Sequence, residues 1–134
     1  TKECAVGTSV MSPDGSRCFA YSPGPVDWSQ GTCTALGMQK ARIDGANDNA
    51  LVASLLLGQP PAWIGLNDIT LENLFFWQVA QGQPPIAVSH VSWAPGEPDN
   101  EPNGNADCVV VDSTGLWATQ DCNEQRGIVC EYEW

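Results

Sequence analysis

The sequence predicts an α+β domain with two early helices, several late antiparallel strands and one long irregular loop. Three observations carry that prediction. Apolar residues recur at helical spacing only before Pro61. Beyond it, short apolar or aromatic runs alternate with Gly, Pro, Asn and Asp, and no strand-helix-strand alternation suggests a parallel sheet. A length of 134 residues with 43% hydrophobic side chains fits one domain over residues 1–134, with one core.

The elements follow in chain order. Up to about Tyr21, two apolar-leaning stretches flank Ser12-Pro13-Asp14-Gly15, a turn signal, so a hairpin is expected whose arms carry Cys4 and Cys18. Asp27 followed by Gln30 resembles a capping box. Cys33 and Leu36 continue at helical spacing and Gly37 supplies a stop, which predicts a first helix over 27–36. Asn47 or Asp48 can cap a second helix in which Leu51/Leu55 and Val52/Leu56 are i,i+4 pairs, ended by Gly58 and Pro60. Strands are expected at 63–66, 75–79, 108–111, 116–119 and 128–132. Residues 81–105 are rich in proline and glycine and show no period. That is longer than the roughly 12–15 residues usual for a structureless loop, so the loop needs a local organiser.

Charge narrows the function classes. Five Lys and Arg against sixteen Asp and Glu give a net charge of −11, which repels phosphate backbones and argues against nucleic acid and anionic membrane as partners. No apolar run approaches the roughly 20 residues of a membrane span, and no basic segment precedes an apolar one at the start, so a mature secreted form without membrane insertion is expected. Asn-X-Ser/Thr acceptors for glycosylation are absent. The six cysteines include no C-x-x-C pair and His90 is the sole histidine, which disfavours zinc. Paired thiols in so small a domain point to an oxidising, extracellular compartment, and six cysteines allow 15 pairings. An enzyme is not expected: no two carboxylates are singled out as an acid and base pair, and His90 lies between Ser89 and Val91 in what reads as an exposed loop or strand edge.

Several segments together resemble the C-type lectin-like domain: "DWSQGTCTALGMQKARI", the strand "WIGLND", the aromatic "FFW", the loop "WAPGEPDN", then "DCVVVDSTGLW" and the closing "CNEQRGIVCEYEW". The resemblance covers essentially the whole chain. It implies the long form of that fold, with an N-terminal hairpin and three disulfides, Cys4–Cys18, Cys33–Cys130 and Cys108–Cys122. In the loop-entropy model the two short bridges contribute about 3 kcal/mol each and the long one about 4–5 kcal/mol. Trp63, Phe76, Trp77, Trp93 and Trp117 read as core residues, and Trp134 as exposed.

Residues 43–125 hold no Lys or Arg but eleven carboxylates. Such a set either spreads over a solvated surface or converges on a hard cation such as Ca²⁺, which takes six to eight oxygens. Asp14, Asp44, Glu131 and Glu133 suit the merely acidic surface. The cluster around 97–107 suits the cation, because an ion orders a loop that has no core of its own. The resemblance implies two sites. The auxiliary one takes Asp68, Glu72 and Asp107, with Asp99 or Asn100 from the loop; Leu71 and Leu74 either cover it or pack beneath the loop. The second joins a loop motif, here Glu97-Pro98-Asp99 with a cis proline, to a Trp-Asn-Asp strand motif. Here Ala118 and Thr119 follow Trp117, and Ala106 stands at another acidic position. A second string, Glu101-Pro102-Asn103, either supplies substitutes or is an extra proline turn. The metal set is therefore Asp68, Glu72, Glu97, Asp99, Asn100 and Asp107, and the carbohydrate set Glu97, Asp99, Glu101 and Asn103. The function implied is a secreted Ca²⁺-binding module recognising glycans or glycoproteins. The alternative is recognition of a protein or mineral surface with structural calcium, which the acidic surface also suits.

Overall fold

The computed structural model describes residues 8–30, 33–71, 73–78, 84–98 and 106–133. Strand β1 (Thr8–Met11) and β2 (Arg17–Val26) form the expected hairpin, closed where Asp14 accepts hydrogen bonds from Ser12 and Ser16. Cys4, the expected partner of Cys18, lies outside the described residues. The single α-helix among those residues, α1 (Ala46–Leu55), occupies the place of the second predicted helix. Gly45 precedes it without a side-chain cap. Asp48 instead turns its carboxylate back onto the Asp44 N–H at 3.1 Å.

Over 27–36 the described residues hold two 3-10 turns, Trp28–Gln30 and Thr34–Leu36, in place of the predicted helix. Asp27 accepts from the Ser29 hydroxyl at 3.1 Å. Gly31 sits mid-segment, with the poorest helix propensity short of proline. Both Leu36 and Met38 donate their N–H to the Cys33 carbonyl, closing a tight local turn.

The sheet has nine strands among the described residues, adding β3 (Gln39–Lys40), β4 (Ala62–Asn67), β5 (Phe76–Trp77), β6 (Ile86–Ala87), β7 (Cys108–Val111), β8 (Trp117–Gln120) and β9 (Arg126–Glu133). It is mixed rather than wholly antiparallel, because β4 and β9 pair parallel through Trp63 and Ile128 while all other ladders are antiparallel. The side-chain alternation of each strand divides the interior into two cores. Phe19, Ile64, Leu66, Val109, Val111 and Val129 face one core with Val52 and Leu55 of α1 and Leu56 just after it; Ala20, Trp63, Val110 and Ile128 face the other. That two-sided burial is why β4 reads as an unbroken apolar run. Gly65 fits within it because an added Cβ would stand 3.1 Å from the carbonyl oxygens of both Ala41 and Gln78. Cys33–Cys130 and Cys108–Cys122 are bonded, and both lie against the second core. No helix among the described residues is long and apolar enough to cross a membrane.

Glu131 departs from the expected acidic surface, for it is fully buried on β9. It shares the parity of Val129, which points into the first core, and it pairs with Phe19 in the ladder. Arg17 on β2 reaches it at 2.8 Å and also grips Asp48 at 2.7 Å and Asp44 at 3.4 Å, and the Arg42 N–H donates to it. Burial pushes the Glu131 carboxyl above its ordinary range, against the pull of Arg17. Burial is the largest single influence on the Arg17 pKa and lowers it, but the charge and hydrogen bond of Glu131 together with the charges of Asp48 and Asp44 raise it above its ordinary value. Asp44 and Glu133 are also ion-paired, with Arg42.

Candidate cation and glycan site

Two of the predicted ligands meet where β4 ends and β7 begins. Asn67 and Cys108 are cross-strand partners, so the next residues, Asp68 and Asp107, stand side by side and the Asp68 N–H donates to the Asp107 carbonyl at 3.0 Å. Asp68 is 2% exposed, and its Oδ2 accepts the Asn73 N–H at 2.8 Å. Asp107 is half-buried, and its Oδ1 is wholly buried with no hydrogen-bond partner. An anionic oxygen in that state lacks the compensation that buried polar groups ordinarily have.

Hard oxygen donors of this kind fit Ca²⁺. Among the described residues no group of three or more His, Cys, Asp or Glu side chains is placed to hold a metal. Glu72, Asp99, Asn100, Glu101 and Asn103 lie outside those residues. Leu71 and Leu74 are 59% and 45% exposed.

Glu97 is held elsewhere. Residues 92–94 lie alongside β8 and a turn closed by the Glu97 N–H on the Ala94 carbonyl at 3.0 Å follows: Trp93 bridges Trp117 in parallel, the Trp117 N–H donates to the Ser92 carbonyl at 2.8 Å, and the Ala94 N–H donates to the Trp117 carbonyl at 2.9 Å. The chain then reaches Glu97, whose peptide bond to Pro98 is cis, as the resemblance implied. Its Oε1 accepts the Thr119 backbone N–H at 2.9 Å and the Thr119 hydroxyl at 2.8 Å. The strand position that lacks a carboxylate thus supplies two donors to the loop's own carboxylate. Ala106, at the other missing acidic position, is fully buried.

The aromatic residues build the wall behind this loop. Trp117 is fully buried, with Trp77, Trp93 and the His90 ring edge-on at 5.7, 5.8 and 6.0 Å, and its Nε1–H donates to Asn49 of α1 at 2.8 Å. Phe75 stacks edge-on against Trp93 at 5.1 Å. Phe76 and Trp93 are half-buried, at the margin of the core rather than inside it.

The Lectin C-type domain model matches residues 15–132. The chain belongs to the C-type lectin domain family. It is 30% identical to pulmonary surfactant-associated protein D of Bos taurus over 129 residues, covering 96% of this chain and 32% of that protein. It is 29% identical to lectin BRA-3 of Megabalanus rosa, covering 98% of this chain and 81% of that lectin. The chain thus spans about a third of the length of the surfactant protein but most of lectin BRA-3. Among solved structures it is similar to the C-type carbohydrate-recognition domain of cow CD23 in the presence of a GlcNAc2Man3 oligosaccharide, with 25% identity, a TM-score of 0.73 and coverage of 89% of each chain. Lectin domains of this family are binding modules, not enzymes. They typically bind Ca²⁺, and some members do not.

Within this lectin domain, the sequence motifs do not reveal Thr119 as the partner of Glu97, nor Glu131 as a buried residue. The parity of β9 carries a signal for Glu131. For Thr119 the signal is its place on β8 opposite a loop carboxylate.

Proposed function

We propose that this lectin domain, a single module over residues 1–134, is an extracellular recognition unit that binds glycans or glycoproteins in a calcium-dependent way. Asp68, Glu72 and Asp107 would hold the ion, with Asp99 or Asn100 contributing from the loop, and Glu97, Asp99, Glu101 and Asn103 would face the sugar. The observation that carries this reading is the buried, unpartnered Asp107 Oδ1 beside buried Asp68, in a stretch of 83 residues, 43–125, with no cation of its own. When bound, the ion supplies a hard centre whose coordination sugar hydroxyls can complete. The protein's part is positional: the Asp68 turn and the β4–β7 ladder fix two carboxylates, and the Glu97–Thr119 contact fixes the approach of the loop.

Thermal melts in Ca²⁺ and in EDTA test the metal. Calcium is expected to raise the melting temperature and Asp107→Asn to abolish most of that rise, with Glu133→Gln leaving it intact; identical melts with and without the ion refute it. A glycan array read with and without calcium tests the ligand. A second reading, recognition of a protein or mineral surface, is favoured by one feature: Glu97 Oε1 is already engaged by Thr119 where the sugar-binding motif would place an amide and an acid. A blank array alongside an intact calcium shift would move the function to that class.

A further inference from the structure

Asn49 of α1 makes two hydrogen bonds with opposite demands. Its Nδ2 donates to the Gly115 carbonyl at 2.8 Å, and its Oδ1 accepts the Trp117 indole N–H at 2.8 Å. An indole N–H can only donate and a peptide carbonyl can only accept, so among side chains of this size a carboxamide alone satisfies both. Leucine satisfies neither, and aspartate lacks the donor. The fit is close. A Cβ on Gly115, where φ is +84°, would stand 2.8 Å from Asn49 Nδ2.

Both partners of Asn49 are also partners of the segment that leads to Glu97. The Ser92 hydroxyl donates to the same Gly115 carbonyl at 2.8 Å. Trp117 accepts the Ala94 N–H on its carbonyl, gives its own N–H to Ser92, and meets the Trp93 ring edge-on. From Ala94 a turn reaches Glu97, which closes on Thr119, two positions along β8 from Trp117. Without the Asn49 amide, a donor on a fully buried ring is left unpaired and the Gly115 carbonyl keeps Ser92 alone. We infer that Asn49 is a positioning residue for the recognition loop: from α1 it fixes Trp117 and the Gly115 carbonyl, the two points from which residues 92–94 are hung, and through them the approach of Glu97. That role rests on the reading of Glu97 as part of the site. It places a determinant of the loop on a helix that carries none of the expected ligands.

Hydrogen exchange of the whole chain, read at two amides, tests it. The Ala94 amide reports the loop, and the Ala41 amide, which donates to the Val129 carbonyl, reports the sheet. Asn49→Ala is expected to accelerate Ala94 at least about tenfold more than Ala41. Calorimetric titration with Ca²⁺ is expected to show affinity weakened about fivefold or more, because Asp99 and Asn100 follow Glu97 by two and three positions. Asn49→Asp keeps the acceptor for Trp117 and carries the same comparison if the alanine form does not fold, with a preference for Ala94 of about threefold or more. Leu55→Ala removes a buried side chain from the same helix and is expected to accelerate both amides alike and to leave Ca²⁺ affinity unchanged. Equal acceleration of the two amides in Asn49→Ala would make Asn49 an ordinary stabilising contact and overturn the proposal. So would a Leu55→Ala form that reproduces the loop-selective effect, or Ca²⁺ affinity untouched by Asn49→Ala in a chain that binds the ion. A chain that binds no Ca²⁺ in any form would sink the calcium reading instead, and the ratio of the two exchange rates would then decide by itself whether Asn49 holds the loop.

Discussion

Thr119→Val tests how the long loop is tied to the sheet. The substitution keeps the branched shape and the backbone N–H and removes only the hydroxyl that donates to Glu97 Oε1 at 2.8 Å. A hydrogen bond to a charged acceptor is worth roughly 1.5–3 kcal/mol. Glu97 is half-buried and keeps the Thr119 N–H at 2.9 Å, so the low end applies, about 1.5 kcal/mol. In a domain of this size that lowers the melting temperature by roughly 5 °C. If the contact pins the loop locally, hydrogen exchange of the Ala94 amide, which donates to the Trp117 carbonyl, accelerates about tenfold. Thr119→Ser restores both readouts. Glu97→Gln costs about 1 kcal/mol, because a neutral oxygen still accepts, and the double-mutant cycle with Thr119→Val gives a coupling of about 1 kcal/mol. Thr119→Val equal to the unsubstituted chain within about 0.3 kcal/mol, or effects that simply add, would refute the reasoning.

Glu131→Gln leaves the Arg17 guanidinium buried with only Asp48 and Asp44 as charge partners and is expected to cost about 2–3 kcal/mol in urea unfolding, less than a fully broken buried pair, whereas Glu133→Gln, nearly half exposed, costs under about 0.5 kcal/mol. The Ser16 N–H, followed by the Ser12 and Ser16 hydroxyls, holds the Asp14 carboxyl at about 2, below its ordinary 3.8. A depressed carboxyl stabilises the fold above pH 3.8, and that contribution disappears as the pH falls through about 2; a carbon-13 titration of Asp14 checks it, and Ser16→Ala should move the midpoint upward. Replacing Cys33 and Cys130 together by alanine opens a bridge spanning 97 positions and should cost about 4–5 kcal/mol by denaturant titration, against about 3 kcal/mol for Cys108 and Cys122, 14 apart.

The difference between what the chain spelled out and what it concealed lies in how far apart the determining residues are. Strand β7 falls at the expected 108–111, and β4 extends the expected run by one residue at each end. In both, a continuous apolar stretch between turn residues is a local signal, and burial on two faces leaves no competing pattern. The first helix failed on a local conflict, a capping signal at Asp27 set against Gly31 and the tight turn closed on the Cys33 carbonyl. Glu131 misled because charge alone says surface; only the strand's parity, set by Val129 and the ladder to Phe19, turns it inward, and only Arg17, 114 positions away, makes that tolerable. The contact between Glu97 and Thr119 was hidden for a related reason. Measured against a ligand motif, Thr119 registers as an absent carboxylate. A β-branched hydroxyl residue on a strand is also a donor, though, and once the Trp93–Trp117 bridge and the turn from Ala94 to Glu97 bring a carboxylate to it, the absence becomes a bond. A motif's missing member therefore predicts loss of the motif's ligand chemistry, but it does not predict that Glu97 is left without donors, because the Thr119 N–H and hydroxyl both reach its Oε1.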